Sequence, residues 1–229
     1  MTIAHTNYTY VAPILSVDAV VFQLVHETLQ VLLIRRARDP FKGAWALPGG
    51  YNPKGETTRE ALHRVLGAKA GIDTESLEYV EQLYAFDTVA RDPRGHAVSI
   101  TYTCLGRDIV PSESDETQQP QFFALGNLPE LAYDHEAIIQ FAVDRLRKDI
   151  TNTTVVYTLL PTVFTLTHVQ RAYEAVLGKV LDKRNFRKRF LALGLVEPTG
   201  EQYQEGAHRP AALYRFHKRT LQDLSSSFE

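Results

Sequence analysis

Residues 45–72 read Trp-Ala-Leu-Pro-Gly-Gly-Tyr-Asn-Pro-Lys-Gly-Glu-Thr-Thr-Arg-Glu-Ala-Leu-His-Arg-Val-Leu-Gly-Ala-Lys-Ala-Gly-Ile, and the spacing within this stretch decides the fold. A helix is expected to begin near Thr57, because Thr57-x-x-Glu60 has the form of a capping box. Ala61, Leu62, Val65 and Leu66 supply its apolar stripe, and Gly71 stops it. Ahead of the helix, Gly49-Gly50 is expected to form a turn open to a ligand, since glycine adopts conformations closed to other residues. Positions 65, 68 and 69 stand at i, i+3 and i+4, so Val65, Ala68 and Lys69 share one helix face.

This frame resembles the Nudix box, the pyrophosphate-binding signature of hydrolases that act on nucleoside diphosphates linked to another group. Gly50, Glu56, Arg64, Leu66, Gly71 and Ile72 fit the pattern. Val65, Ala68 and Lys69 stand where that pattern carries three glutamates. Three carboxylates on one helix face would hold hard divalent cations, which bridge a diphosphate and activate water. Val65 and Ala68 offer no ligand, and Lys69 puts a positive charge where a cation would sit. Phosphate binding without hydrolysis is therefore expected, with no catalytic residue, no metal ligand and no required cofactor. The competing reading keeps Glu56, Glu60 and His63 as a residual metal site, against the plainer alternative of solvated helix charges. The resemblance also implies an ion pair between Arg64 and Glu56, and a Nudix fold, an α/β/α sandwich with a mixed sheet.

At 229 residues the chain can bury one large core or two modest ones without staples. It has no apolar run of the roughly 20 residues needed to span a bilayer and no leader pattern at its start, so it reads as cytoplasmic with no membrane partner. Cys104 is the single cysteine; it is expected to be a buried strand residue. The net charge of −2 conceals a split. Residues 1–150 hold 14 Lys and Arg against 20 Asp and Glu, or −6, and residues 151–229 hold 11 against 7, or +4. The two parts are expected to meet different partners.

Residues 1–12 show no period and read as an arm. Ile14–Val25 and Leu29–Ile34 read as a hairpin. Arg35 and Arg36 leave its second strand, and either one could grip a phosphate bidentately or remain a solvated strand end. Strands are expected over Gln82–Asp87 and Ala97–Cys104. The turn between them, Arg91-Asp-Pro-Arg-Gly95, resembles a segment of Nudix proteins that handle ADP-ribose and leads toward the aromatic Tyr102. That makes Arg91, and less directly Arg94, candidate ligand residues. An exposed loop over 108–120, a strand from Gln121 and a helix from an Asp134 cap to about Lys148 complete the first unit.

The polar run Thr151–Thr154 reads as a boundary. Beyond it, Thr167-x-x-Gln170 could cap a helix that carries Leu166, Val169, Tyr173 and Val176 on one face. Asp182 could cap a second helix with Phe186, Phe190 and Leu193 inward and Gly194 at its end. Lys183, Arg184, Asn185, Arg187 and Lys188 populate its other faces. Two short apolar runs around Gly200, Gly206, His208 and Arg209 then read as a hairpin. Helix, turn, basic helix and hairpin together spell a winged helix-turn-helix, so the class is α+β in two domains, 1–150 and 151–229. Such a helix fits the major groove, where Lys and Arg neutralise phosphates and Asn185 is a type of side chain that reads adenine. Thr167 at the first helix and Arg209 in the wing are candidates for backbone or minor-groove contact.

The C-terminal motifs Leu160-Pro-x-x-Phe-Thr-Leu-Thr, Gln170-x-x-Tyr-Glu, Leu181-Asp-Lys-Arg-Asn-Phe and Arg209-Pro-Ala-x-Leu-Tyr-Arg-Phe extend the resemblance. With the degenerate box before them, they resemble the Nudix-related transcriptional regulators of NAD metabolism, the NrtR family. The resemblance implies a homodimeric repressor on double-stranded operator DNA ahead of NAD synthesis or salvage genes, released by ADP-ribose. The ligand would sit at Gly49-Gly50, with Arg35, Arg36 or Arg91 on its phosphates, Trp45 near a ring and Glu56 at the box. An ADP-ribose hydrolase and a scaffold that binds no DNA are the competing readings.

Overall fold

The computed structural model describes residues 12–113, 117–204, 210–224 and 228. Arg209, the wing candidate, lies outside the described residues, as does nearly all of the expected N-terminal arm. Ile14–Val25 forms β1 and Thr28–Arg36 forms β2. They are joined through His26 and Glu27, both at positive φ. Trp45–Ala46 is β3, Gly49–Tyr51 β4, Thr58–Ala70 α1, Tyr79–Phe86 β5, Ala97–Leu105 β6, Thr117–Ala124 β7 and His135–Asn152 α2. The five-strand path β3-β2-β1-β6-β5 is extended by β4 on β1 and β7 on β2, and β1 with β6 is parallel while the other pairs are antiparallel.

Side chains in a strand alternate between faces, and β1 uses both. Val17, Ala19 and Val21 pack with Leu62 and Leu66 of α1 in one cluster. Val20 and Phe22 pack with Ile138, Ala142 and Leu146 of α2 in another. The result is the expected α/β/α sandwich with a mixed sheet. Cys104 is fully buried in the first cluster, and burial pushes its thiol up to about 12, so it is inert.

Helix α1 begins as its sequence dictates. Thr57 accepts from the Glu60 N–H, and the Glu60 carboxylate accepts from the Thr57 N–H at 2.7 Å. Gly71 closes the helix in the left-handed conformation at φ 64°. Three expectations for this first unit change. Gly49 and Gly50 lie in strand β4, not a turn, and neither is left-handed. They are glycines for lack of room, since a Cβ on Gly49 would collide with the Asp18 carboxylate and one on Gly50 would stand 3.0 Å from Val65. Asp134 precedes α2 without a side-chain capping bond, because its carboxylate is taken by Arg91. The polar stretch 108–120 gives way to β7 at Thr117, which pairs with Arg36 of β2.

Phe164–Thr165 forms β8, Leu166–Leu177 α3, Lys183–Ala192 α4, Val196–Tyr203 β9 and Ala211–Phe216 β10, with β8-β10-β9 as a small sheet. This is a winged helix. Its α3 starts two residues earlier than the Thr167 reading, because Thr165 and His168 form the capping box, while Asp182 caps α4 through the Asn185 N–H. The polar run Thr151–Thr154 is not an exposed linker. Helix α2 continues through Asn152, and Val155–Leu159 follow as a buried 3-10 helix. Thr154 is buried, with its hydroxyl bound to the Thr220 carbonyl at 2.8 Å. One apolar cluster runs from Phe22 and Val31 through Ile150 and Val156 to Tyr173, Phe186 and Phe190.

Candidate functional site

A cavity of about 230 Å³ opens between β1, β2, β4 and the start of α2. Strand alternation selects its cations. Ile34 and Arg36 of β2 line it, as do Ser16 and Asp18 of β1. Arg35 points the other way, where its Nε donates to the Gly43 carbonyl at 3.1 Å. Gly49, Gly50 and Arg91 also line the cavity. Trp45 does not: its ring packs edge-on against Phe123 at 4.7 Å. Glu56 stands apart too, held by Arg64 through two bonds of 2.8 and 2.7 Å. That hydrogen bonding keeps the Glu56 carboxyl below the usual range.

Two of the three box positions meet the glycine strand β4. Val65 is buried against Gly50. Lys69 lines the cavity and donates from Nζ to the Gly49 carbonyl at 2.5 Å. A fixed ammonium thus occupies a carbonyl oxygen beside the glycines. Of the other acidic candidates, Glu60 is consumed by the helix cap, and His63 Nδ1 pairs with the Thr74 hydroxyl at 2.7 Å.

Several lining residues were not singled out from sequence: Asp18, Arg38, Tyr51, Asp92, Tyr133 and His135. Asp18 anchors a buried polar network. It accepts from the Ser99 hydroxyl at 2.5 Å, while Arg91 stands 3.7 Å and His135 3.9 Å away. Arg91 is only 5% exposed, and its guanidinium grips Asp134 bidentately at 2.8 and 2.9 Å. Arg91 therefore ties the 87–96 turn to the start of α2 while presenting one edge to the cavity. His135 Nδ1 accepts from the Leu47 N–H at 2.9 Å; burial lowers its pKa, with the Asp18 carboxylate opposing. Arg94 is paired with Asp92 at 2.6 and 2.9 Å and with the Tyr51 hydroxyl. Arg36, Arg38, Lys69, Arg91 and Arg94 line one cavity with Asp18, Asp39 and Asp92, a composition suited to an anionic ligand that also carries hydroxyls.

In the winged helix, Phe186 and Phe190 turn α4 into the core. Lys183, Arg184 and Lys188 are exposed. Arg187 reaches α3 and donates to the Thr167 hydroxyl at 3.0 Å, so these two candidates meet each other. Asn185 lies on the opposite flank, where with Arg189 it lines a groove against Arg147 and Lys148 of α2. The structure thus brings Thr167 and Arg187 into contact, leaves Lys183, Arg184 and Lys188 exposed on α4, and places Asn185 in the groove against α2.

Comparison with known proteins agrees with this architecture. A family model described as NUDIX domain matches residues 14–142, and one described as NrtR DNA-binding winged helix domain matches residues 156–216. The ADPR responsive transcriptional repressor NtrR of Acinetobacter baylyi is 37% identical over 228 residues, spanning 96% of this chain and 87% of its own. The chain belongs to the NrtR family. Among solved NrtR structures, Shewanella oneidensis NrtR complexed with a 27mer DNA superposes with a TM-score of 0.75 at 32% identity, over 90% of this chain and 94% of its own. The NUDIX domain of the same NrtR complexed with ADP ribose matches with a TM-score of 0.55 at 32% identity, over 61% of this chain and 94% of its own. Among the described residues, no helix is long and apolar enough to cross a membrane.

Proposed function

We propose that this chain is a cytoplasmic transcriptional repressor of NAD synthesis or salvage genes, binding palindromic operator DNA as a homodimer and released by ADP-ribose held in a Nudix cavity that does not hydrolyse it. The division of labour follows 1–150 as sensor and 151–229 as DNA-binding unit. The observation that carries the reading is Lys69. Its ammonium sits on the Gly49 carbonyl on the helix face where a Nudix hydrolase would carry metal-binding carboxylates. The cavity keeps cations for a diphosphate and has a lysine in place of a metal ligand. Glu56, Glu60 and His63, the residues left for a residual metal, are engaged by Arg64, Thr57 and Thr74, which favours the regulator over the hydrolase.

On the DNA side, Lys183, Arg184 and Lys188 supply phosphate contacts from α4, with Thr167 and Arg187 at its α3 flank. Palindromic half-sites about one helical turn apart require two copies whose recognition helices keep a fixed spacing. Helix α2 connects the two sites. His135 at its first turn lines the cavity, and Arg147 near its end donates to the Val176 carbonyl of α3 at 3.2 Å. ADP-ribose that favours one placement of α2 shifts the spacing of the winged helices and lowers operator affinity. The size of the effect equals the ligand's differential affinity for the two states, typically about 5- to 150-fold.

Fluorescence anisotropy on DNA from upstream of the host's NAD genes, at fixed near-physiological salt, tests this directly. Sequence-specific binding weakened by ADP-ribose is the expected result. Specific binding that ADP-ribose leaves unchanged removes the effector, and magnesium-dependent release of AMP from ADP-ribose restores the hydrolase reading.

A further inference from the structure

Tyr133 stands in the cavity wall at the turn entering α2, and two of its features are left unexplained by packing. Its hydroxyl is buried with no hydrogen-bond partner among the described residues. A buried polar group in that state is unfavourable, and native structures contain few of them. Its backbone lies at φ 56°, the left-handed region that a bulky side chain rarely occupies. Strain of this kind persists only where the surroundings enforce it, and it clusters at ligand sites.

The surroundings of Tyr133 are the cavity's own cations. The Arg36 guanidinium lies 4.9 Å and that of Arg94 6.0 Å from the Tyr133 ring centroid, both within reach of cation–π attraction. Phe41 meets the ring edge-on at 4.7 Å and the His135 ring lies 5.3 Å away. Each arginine is also fixed from its other side, Arg36 by the Pro40 carbonyl at 2.8 Å and Arg94 by Asp92. One aromatic ring therefore holds two cavity-lining cations, with an unsatisfied hydroxyl on the same side chain.

We propose that Tyr133 positions the diphosphate subsite: its ring sets Arg36 and Arg94 for the ligand's phosphates, and its hydroxyl donates to a phosphate oxygen. The inference rests on the ADP-ribose reading above and names the residue that would favour a diphosphate there. The strained turn places a bulky ring within reach of two arginines, and the ligand supplies the acceptor its hydroxyl lacks.

Calorimetric titration of the full chain with ADP-ribose and with ADP, for the unsubstituted protein, Tyr133→Phe and Tyr133→Leu, decides it. A hydrogen bond to a charged acceptor is worth about tenfold or more in affinity. Tyr133→Phe is expected to weaken both ligands by a similar factor of that size, and to melt no lower than the unsubstituted chain because an unpaired buried hydroxyl is removed. Tyr133→Leu, which also releases both arginines, weakens them further. Unchanged binding by Tyr133→Phe overturns the hydroxyl contact, and a loss with ADP-ribose but not ADP does the same by placing the hydroxyl on the distal ribose. Equal affinities for Phe and Leu overturn the positioning role of the ring. An unsubstituted chain that binds ADP but not ADP-ribose sinks the effector reading and leaves this subsite standing; one that binds neither sinks both.

Discussion

At the scale of single residues, the cavity is governed by a buried polar network whose charges are individually testable. His135 accepts a backbone N–H at Nδ1, so the neutral ring carries its proton on Nε2. Burial lowers its folded pKa, with Asp18 pulling the other way. An unfolded histidine takes up its proton near pH 6.5, while the folded one does so only at lower pH. The unfolded state therefore binds more protons in between, and stability present above pH 6.5 is lost as pH falls toward the folded pKa. Urea midpoints measured from pH 7.5 to 5 should fall less steeply for His135→Asn, which keeps an acceptor for Leu47. Identical slopes would mean that His135 is not a depressed titrating group. The Arg91–Asp134 pair makes a second prediction. Its side chains are 5% and 18% exposed, and removing one partner strands a buried charge, at a cost of about 3–5 kcal/mol. Asp18, 3.7 Å from Arg91, offsets part of that, so about 3 kcal/mol is expected for Asp134→Ala in urea unfolding, and under 1 kcal/mol would show the pair to be dispensable. These residues were hard to read in advance. Asp18 sits in an apolar run that reads only as strand, and Tyr133 and His135 read as the approach to a helix; sheet pairing brings Asp18 to Gly49, and the Leu47 N–H bond brings His135 to the same cavity.

At the scale of elements, what was legible was local. The Thr57–Glu60 box, the Gly71 stop, the Asp182 cap and the apolar stripes of α3 and α4 each follow from spacings of three or four residues. The failures came where a distant partner competes. Asp134 looks like a cap but is claimed by Arg91 from the 87–96 turn. The start of α3 was displaced because His168 does the work usually given to Glu or Gln at that position of a capping box. Arg35 and Arg36 were indistinguishable until the register of β2 placed alternate side chains on opposite faces. Asn185 adjoins the apolar stripe, and the nearness of α2 on that flank was invisible in the order of residues. The exposed face of α4 supports a quantitative expectation. Lys188→Ala should weaken DNA binding about equally on specific and random sequences and reduce the slope of log K against log salt by about 0.9. Asn185→Ala, an uncharged position in the groove against α2, should leave that slope unchanged. A slope that does not respond to Lys188→Ala would place the phosphate contacts elsewhere.

At the scale of the whole molecule, the charge split between residues 1–150 and 151–229 suggests two units, yet the apolar core does not stop between them. Phe22 and Val31 of the sheet belong to one cluster with Tyr173, Phe186 and Phe190 of the winged helix, and α3 packs on both α2 and β2. The chain end reinforces the seam. Arg219 donates to Glu78 at 2.6 Å and to the Tyr157 and Leu160 carbonyls at 2.6 and 3.0 Å, and the Leu224 N–H returns to the Asn152 carbonyl at 2.7 Å. The polar run Thr151–Thr154 reads as a boundary; Thr151, Asn152 and Thr153 instead bond to carbonyls of α2 and Thr154 to the Thr220 carbonyl. Neither unit can expose its half of this core cheaply, at about 25 cal/mol per Å² of apolar surface. The two should therefore unfold together. Scanning calorimetry of the full chain is expected to show one transition whose calorimetric and van't Hoff enthalpies agree. Arg219→Met, which unpins Glu78 while keeping a long apolar stem over Tyr157, should lower the midpoint without splitting the peak. Two resolved transitions in the unsubstituted chain would show that the seam is weak and that a signal from the cavity has no rigid path through α2. A single transition shows that the two units are energetically coupled through the seam, the condition for a displacement at the cavity to be felt at α4.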